Sequence, residues 1–154
     1  MAPGGVLHRQ YATVSPRTTH PPPNPATIEA METPDFHAYL TRLPYELAFS
    51  EDDPASIIDR YYTPTFQYRN DGITLDRQRL IDHTTPARKT TKHLDIQIHE
   101  TLTDGHRAAA RFTMTALTRK DKVIKVVVHL FAEYARDGRI ERVNAITRTL
   151  DAKP

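Results

Sequence analysis

The stretch KVIKVVVHLFAEYARDGRIERVNAITRTL, residues 122–150, decides the fold of this chain. Its first half is rich in β-branched and aromatic residues, and its second half alternates apolar with polar side chains, as β-strands do. Asp137-Gly138 between the two halves is a dipeptide typical of tight turns. The stretch therefore predicts two antiparallel strands joined in a hairpin.

More strands precede this hairpin. The candidates are HLDIQIHETL (93–102) and AAARFTMTAL (108–117), with turns at Asp104-Gly105 and Lys120-Asp121, and earlier TFQYRN (65–70), followed by a turn at Asp71-Gly72. Helical spacing of apolar residues marks the segments 34–49, 55–62 and 75–83. Pro44 is expected to kink or divide the first helix and Pro86 to close the third. Helices followed by consecutive antiparallel strands predict an α+β protein.

Composition limits the organisation and the partners. Seven of the 12 prolines precede Asp35, so residues 1–33 are expected to form a disordered tail and residues 34–154 one domain. The 21 basic and 19 acidic residues nearly balance, and no Lys/Arg run exceeds two residues, so nucleic acid is not an expected partner. No apolar run approaches the length of a membrane span, and the absence of cysteine fits a cytoplasmic protein. Eight histidines occur without a helical metal-binding spacing, so neither a metal nor a cofactor is expected.

From about Phe36 to Leu150 the chain resembles the nuclear transport factor 2-like superfamily. The resemblance lies in the order of the elements and in three motifs, YYTPTF (61–66), DGITLD (71–76) and a terminal strand that begins at DGRI (137–140). This group includes SnoaL-like polyketide cyclases, ketosteroid isomerases, limonene epoxide hydrolases and scytalone dehydratases, as well as members that only bind ligands or partners. The resemblance implies a cone-shaped, curved antiparallel sheet with about three N-terminal helices that enclose a pocket. Because a fold does not define a reaction, the site has to be argued residue by residue.

Comparison with the epoxide hydrolases argues against their reaction. Tyr68 and Asn70 are similar to the Tyr-x-Asn that positions water in those enzymes, and Arg111 and Thr113 fall where they carry Arg-x-Asp. Ala145 falls where they carry an Asp. Both acids are missing, and epoxide opening by that route needs them, so this activity is not expected.

Two other comparisons supply candidate catalytic residues. TKHLDI is similar to the scytalone dehydratase segment that carries a catalytic His, which implies His93 as the general base, and FQYR is similar to the segment that carries a Tyr polarising a carbonyl, which implies Tyr68. The alternatives are a histidine bonded to a backbone carbonyl for His93 and a packed core aromatic for Tyr68. Arg111 would help to stabilise the resulting oxyanion, and the alternative for it is a structural ion pair with an acid such as Glu100 or Asp59. Tyr45 matches the oxyanion-hole Tyr of ketosteroid isomerases, although core packing is the alternative role for it.

Strand alternation predicts which residues contact the substrate. Leu130 and Tyr134 are expected to line the cavity, with Asn70 and Thr113 as positioning groups and His83 beside the substrate. A packed helix histidine is the alternative for His83. The outer face is expected to carry His129 and Phe131 together with Phe112 and Met114, and this second apolar face predicts a homodimer. If that parity is off by one residue, His129 enters the cavity and replaces His93 as the base.

Two functions of different classes follow. The first is a cofactor-independent isomerase, cyclase or dehydratase that acts by general acid/base chemistry on a polyketide-like or terpenoid-like small molecule. The second is a module of the same fold that binds a small molecule or dimerises without catalysis. The missing carboxylates at Thr113 and Ala145 favour the second, and the polar set around Tyr68 favours the first.

Overall fold

A computed structural model describes residues 35–151 of the chain. The tail predicted for residues 1–33 lies outside the described residues. The predicted domain, 34–154, is described over all but its first residue and its last three.

Helix α1, Phe36–Phe49, begins at a side-chain cap, because the Asp35 carboxylate accepts a hydrogen bond from the Ala38 amide at 2.9 Å. Pro44 lies inside this helix, which runs through it as one element, so the predicted division is wrong. Proline removes one backbone hydrogen bond and crowds the carbonyl four residues earlier, and the buried stripe of α1 offsets this cost by holding the helix against the rest of the core. That stripe consists of Phe36, Tyr39, Leu40, Leu43 and Ala48.

Two further helices complete the helical layer. Helix α2, Pro54–Tyr61, has proline in its first turn and buries Ile57 and Ile58 completely. Helix α3, Arg77–Thr90, is capped by the Asp76 carboxylate, which accepts from the Arg79 amide at 2.8 Å. Pro86 was expected to end α3, but the helix continues to Thr90.

Six strands form one curved sheet that does not close into a barrel. The strands are β1 (Tyr62–Asn70), β2 (Ile73–Thr74), β3 (Thr91–Asp104), β4 (Arg107–Thr118), β5 (Val123–Tyr134) and β6 (Ile140–Leu150). Their order across the sheet is β2-β1-β6-β5-β4-β3. All neighbouring pairs are antiparallel except β1 and β6, which run parallel. The α+β prediction is confirmed, with this one parallel pair as a detail that the hairpin signals did not reveal.

The turn between β1 and β2 depends on residues that accept a left-handed backbone. Asp71 and Gly72 have φ values of 52° and 78°, the combination that a two-residue hairpin requires. Asp71 also ties β1 to β6, because its carboxylate accepts a hydrogen bond from the Thr147 amide at 3.0 Å. The turn therefore fixes the end of β1, where Tyr68 and Asn70 lie.

Strand register determines which residues face the helices. Phe112 lies opposite Val128, and both are buried against the helical layer. Arg111 lies opposite His129 on the other face of the sheet. The inner face of the sheet and the three helices thus enclose the core.

Candidate functional site

A cavity of about 380 Å³ lies between the three helices and the inner face of the sheet. Its apolar wall comes from all three helices and from β4 and β5, and it includes Leu40, Leu43, Leu47, Ile58, Leu80, Phe112, Met114, Val126, Val128 and Leu130. Its polar groups are the side chains of Tyr39, Tyr62, Tyr68, Asn70 and Thr147. Among residues 35–151, no carboxylate, histidine, lysine or arginine lines this cavity. Its described walls therefore hold no acid or base that titrates near neutral pH.

The tyrosines of the cavity stay protonated. Burial raises the pKa of Tyr39 and Tyr62 well above the ordinary value, and burial also raises the pKa of Tyr68. The Tyr39 and Tyr62 hydroxyls satisfy each other through a buried hydrogen bond of 2.8 Å. The Tyr68 ring packs on that of Tyr62 at a centroid distance of 6.3 Å. These phenols are hydrogen-bond donors, not proton acceptors, at physiological pH.

Tyr68 and Asn70 offer free hydrogen-bonding groups to a ligand. The Tyr68 hydroxyl forms no hydrogen bond with any part of the chain that the structure describes. The Asn70 side-chain oxygen accepts from the Thr147 hydroxyl at 3.0 Å, which leaves the amide NH₂ available. Both side chains project from the same face of β1 because they are two residues apart. The cavity is therefore apolar with a short row of neutral donors along one strand.

Three of the predicted site residues line this cavity: Tyr68, which was predicted as catalytic, and the predicted substrate contacts Asn70 and Leu130. Tyr134 faces the same side of β5 but lies at a separate recess of about 250 Å³ that also contains Asp35 and Arg42. Burial and the charge of Asp35 raise the pKa of Tyr134.

His93 does not reach the cavity, so its predicted position as the base is wrong. It lies near the start of β3 opposite Leu117, and its side chain is exposed. The next residue, Leu94, is buried, and Ile96 packs against the same core. Since side chains alternate along a strand, the residue before Leu94 faces outward.

Arg111 and Thr113 lie on the outer face, contrary to prediction. Arg111 forms the alternative ion pair with Glu100, at 3.2 Å, which lowers the pKa of that carboxyl group. Thr113 bonds to the His99 ring at 2.6 Å. Their neighbours Phe112 and Met114, which were expected outside, line the cavity instead. The parity predicted for β4 was therefore off by one residue.

The other candidate side chains also lie away from the cavity. Tyr45 is 43% exposed, and its hydroxyl donates to the Leu94 carbonyl, which links α1 to β3. His83 is exposed on α3. His129 is on the outer face, as the predicted parity of β5 required, so it does not replace His93 in the cavity.

Sequence reasoning missed the Tyr39–Tyr62 pair and Thr147. Tyr39 was visible only as one apolar position in a helix, and Tyr62 as part of YYTPTF. A usable signal was present, since Tyr62 and Tyr68 have the same parity along one strand. Thr147 carried no distinguishing pattern.

Within residues 35–151, no group of three or more His, Cys, Asp or Glu side chains is arranged to hold a metal ion. None of the helices in that range combines the length and apolar character needed to span a membrane.

The fold and the cavity of residues 35–151 together define an α+β cone that holds an apolar site with neutral donors. The profile of the SnoaL-like domain family matches residues 41–143, which is more than half of the chain, and the chain belongs to this family. The resemblance seen in the sequence is thereby confirmed. No curated protein matches the sequence.

Solved structures with this fold include several proteins of related description. A proposed isomerase from Rhodopseudomonas palustris has a TM-score of 0.58 at 10% identity, over 71% of this chain and 87% of that one. The proposed polyketide cyclase IdmH from Streptomyces antibioticus has a TM-score of 0.52 at 13% identity, over 68% and 86%. The proposed hydroxylase AclR from Streptomyces galilaeus has a TM-score of 0.52 at 14% identity, over 73% and 76%. At these identities the likeness supports the fold and no particular reaction.

Proposed function

We propose that this chain binds an apolar small molecule that carries a hydrogen-bond-accepting oxygen, such as a ketone, in the cavity. One observation carries the proposal: the described cavity wall is apolar, and its free polar groups are the neutral donors of Tyr68 and Asn70. Apolar walls with a few placed polar groups are typical of small-molecule sites. This favours the binding module over acid/base catalysis, because the base assigned to His93 lies outside the cavity.

Adjacent valines on β5 provide a matched test. Val126 lines the cavity, whereas Val127 lies opposite Thr113 on the outer face. Val126→Phe should fill the cavity and weaken binding of an environment-sensitive naphthyl ketone dye by more than about tenfold, while Val127→Phe should change it less than about twofold. The chain contains no tryptophan, so the dye is read without a tryptophan background. Equal binding by both variants would place the dye outside the cavity and contradict the proposal.

A second candidate function is an isomerase or cyclase without a protein base. It is favoured by the unpartnered Tyr68 hydroxyl, which could stabilise negative charge on a carbonyl oxygen, and by the descriptions of the structural relatives. The described cavity wall holds no base, so enolisation by this route would transfer the α-proton to solvent water, and dehydration would need the same acceptor.

Proton exchange distinguishes the two functions. If the chain enolises a ketone, it should accelerate deuterium uptake next to the carbonyl of a bound cyclic enone in D₂O, and Tyr68→Phe should remove the acceleration. The binding module predicts bound enone without faster exchange. NMR integration of the α-protons measures both.

We also propose a homodimer formed through the outer face of the sheet. Leu102, Phe131 and Ile146 are 76%, 69% and 64% exposed there. Glu133 bridges Arg142 at 3.0 Å and Arg107 at 3.8 Å at the edge of this apolar surface. A rim with both charge signs can complement a second copy of itself about a two-fold axis.

Sedimentation equilibrium tests the dimer. The parent should show twice the chain mass at micromolar concentration, and Phe131→Glu should show one chain mass with an unchanged circular dichroism spectrum. A monomeric parent would exclude this partner.

A further inference from the structure

A second concave site lies where the end of α3 meets the turn between β4 and β5. Its volume is about 270 Å³. Its lining, called here the basic pocket, consists of Lys89, Thr90, Thr118, Arg119, Lys120 and Lys122. Every one of these side chains carries a positive charge or a hydroxyl group. The basic pocket thus differs completely in chemistry from the apolar cavity.

The positive charges of the basic pocket are not neutralised by the described part of the chain. Asp121, the acid within the same turn, bonds instead to Lys92 at 3.3 Å. Within residues 35–151, none of the four lining cations belongs to an ion pair. Several like charges around one concave surface create a local positive potential that attracts anions.

Backbone hydrogen bonds hold the frame of the basic pocket. The Arg119 amide donates to the Thr90 carbonyl at 2.8 Å, which fastens the turn to the end of α3. The Lys122 amide donates to the Thr118 hydroxyl at 3.0 Å, and the Thr118 amide donates to the Lys122 carbonyl at 2.9 Å. The backbone that carries the charged side chains is therefore held in place, although the charged groups themselves are exposed.

The basic pocket lies in line with the apolar cavity. Met114 lines the cavity, and Thr118 has the same parity four residues further along β4, a distance of about 13 Å in a strand. A hydrogen bond also connects α3 beside the basic pocket to the cavity wall. Arg88, which precedes Lys89, donates from its Nε to the carbonyl of Leu47 at 3.2 Å, and Leu47 lines the cavity.

We propose that the basic pocket binds the phosphate head of an amphiphilic ligand whose apolar body occupies the cavity. This inference rests on the proposed binding function and specifies its ligand class. Phosphate suits the site because it carries up to two negative charges and several acceptor oxygens, which lysine, arginine and threonine donors can contact together. The spacing of about 13 Å between Met114 and Thr118 along β4 matches the length of an extended ten-carbon chain.

Competition with the naphthyl ketone dye tests the inference. Decyl phosphate should displace the dye at a concentration about tenfold lower than decanol does, because only the phosphate gains charge-assisted hydrogen bonds.

Lys120→Gln/Lys122→Gln should remove this advantage of decyl phosphate and leave displacement by decanol unchanged. These two side chains form no hydrogen bond within residues 35–151, so the variant should fold, as circular dichroism can verify. Lys125→Gln/Arg148→Gln, which removes two exposed cations from the outer face of β5 and β6, is the charge-matched control and should keep the advantage. Added sodium chloride should reduce the advantage by screening.

The outcomes separate the two proposals. If neither compound displaces the dye, the cavity does not bind apolar ligands and the proposed function fails. If decanol and decyl phosphate displace it equally from the parent, the binding function stands and the phosphate site is wrong. An equal loss of the advantage in the control variant would also overturn the site, because it would show an effect of net charge alone.

Discussion

Removing one hydroxyl from the Tyr39–Tyr62 pair should destabilise the protein more than removing both. The two hydroxyls lie 2.8 Å apart, and the residues are only 6% and 4% exposed. Tyr39→Phe or Tyr62→Phe leaves the other hydroxyl buried without its partner, which should lower the free energy of unfolding by about 1–3 kcal/mol. The double variant leaves no polar group behind, so its cost should not exceed that of either single variant.

Urea denaturation followed by far-ultraviolet circular dichroism measures these free energies for the parent, the two single variants and the double variant. The coupling energy, obtained from the double-mutant cycle, should be about 1 kcal/mol or more. Strictly additive losses would refute the reasoning, because they would show that the two hydroxyls do not depend on each other.

Three further predictions concern other parts of the molecule. His93→Ala should change the free energy of unfolding by less than about 0.5 kcal/mol and leave dye binding unaltered, because the side chain is exposed outside the cavity; a clear loss of binding would return His93 to the site. Gly72→Ala should cost about 1 kcal/mol in chemical denaturation, since φ is 78° there and an added side chain disfavours that backbone; an unchanged midpoint would contradict this. The Arg77 hydrogen bonds at 2.8 and 2.9 Å lower the pKa of Asp59, so this pair stabilises the fold above the unfolded carboxyl pKa of about 4 and the stabilisation is lost as pH falls through the lower folded value. Melting temperatures of the parent and Asp59→Asn should accordingly converge in acid, and a gap that persists there would refute the assignment.

Much of the fold could be predicted because its signals are local. Turn dipeptides and alternating apolar residues marked the strands from residue 93 to residue 150. The helix ends were harder to predict from the sequence, since Pro44 and Pro86 are tolerated inside helices that tertiary packing supports. The parallel contact of β1 with β6 joins segments far apart in sequence, which no local pattern reports.

The candidate site was predicted in part for a similar reason. On β4 the sequence AAARFTMTAL has apolar or small residues on both faces, so alternation alone could not decide whether Arg111 or Phe112 points inward. Pairing with β5 decides it, because Phe112 lies opposite the buried Val128. His93 differs, because the alternation of Leu94, Ile96 and Ile98 indicates that it faces outward, whereas the resemblance to a catalytic histidine implies the opposite.

The central claim is that Tyr68 donates a hydrogen bond to a ligand oxygen inside the apolar cavity. Its most direct test compares the affinities of the parent and Tyr68→Phe for the naphthyl ketone dye and for the same dye with the carbonyl replaced by a methylene group. The ketone should lose about 0.5–1.5 kcal/mol, or about two- to twelvefold in affinity, while the methylene analogue should bind both proteins equally. Equal affinity of the ketone for both proteins, or an equal loss for both dyes, would contradict the claim.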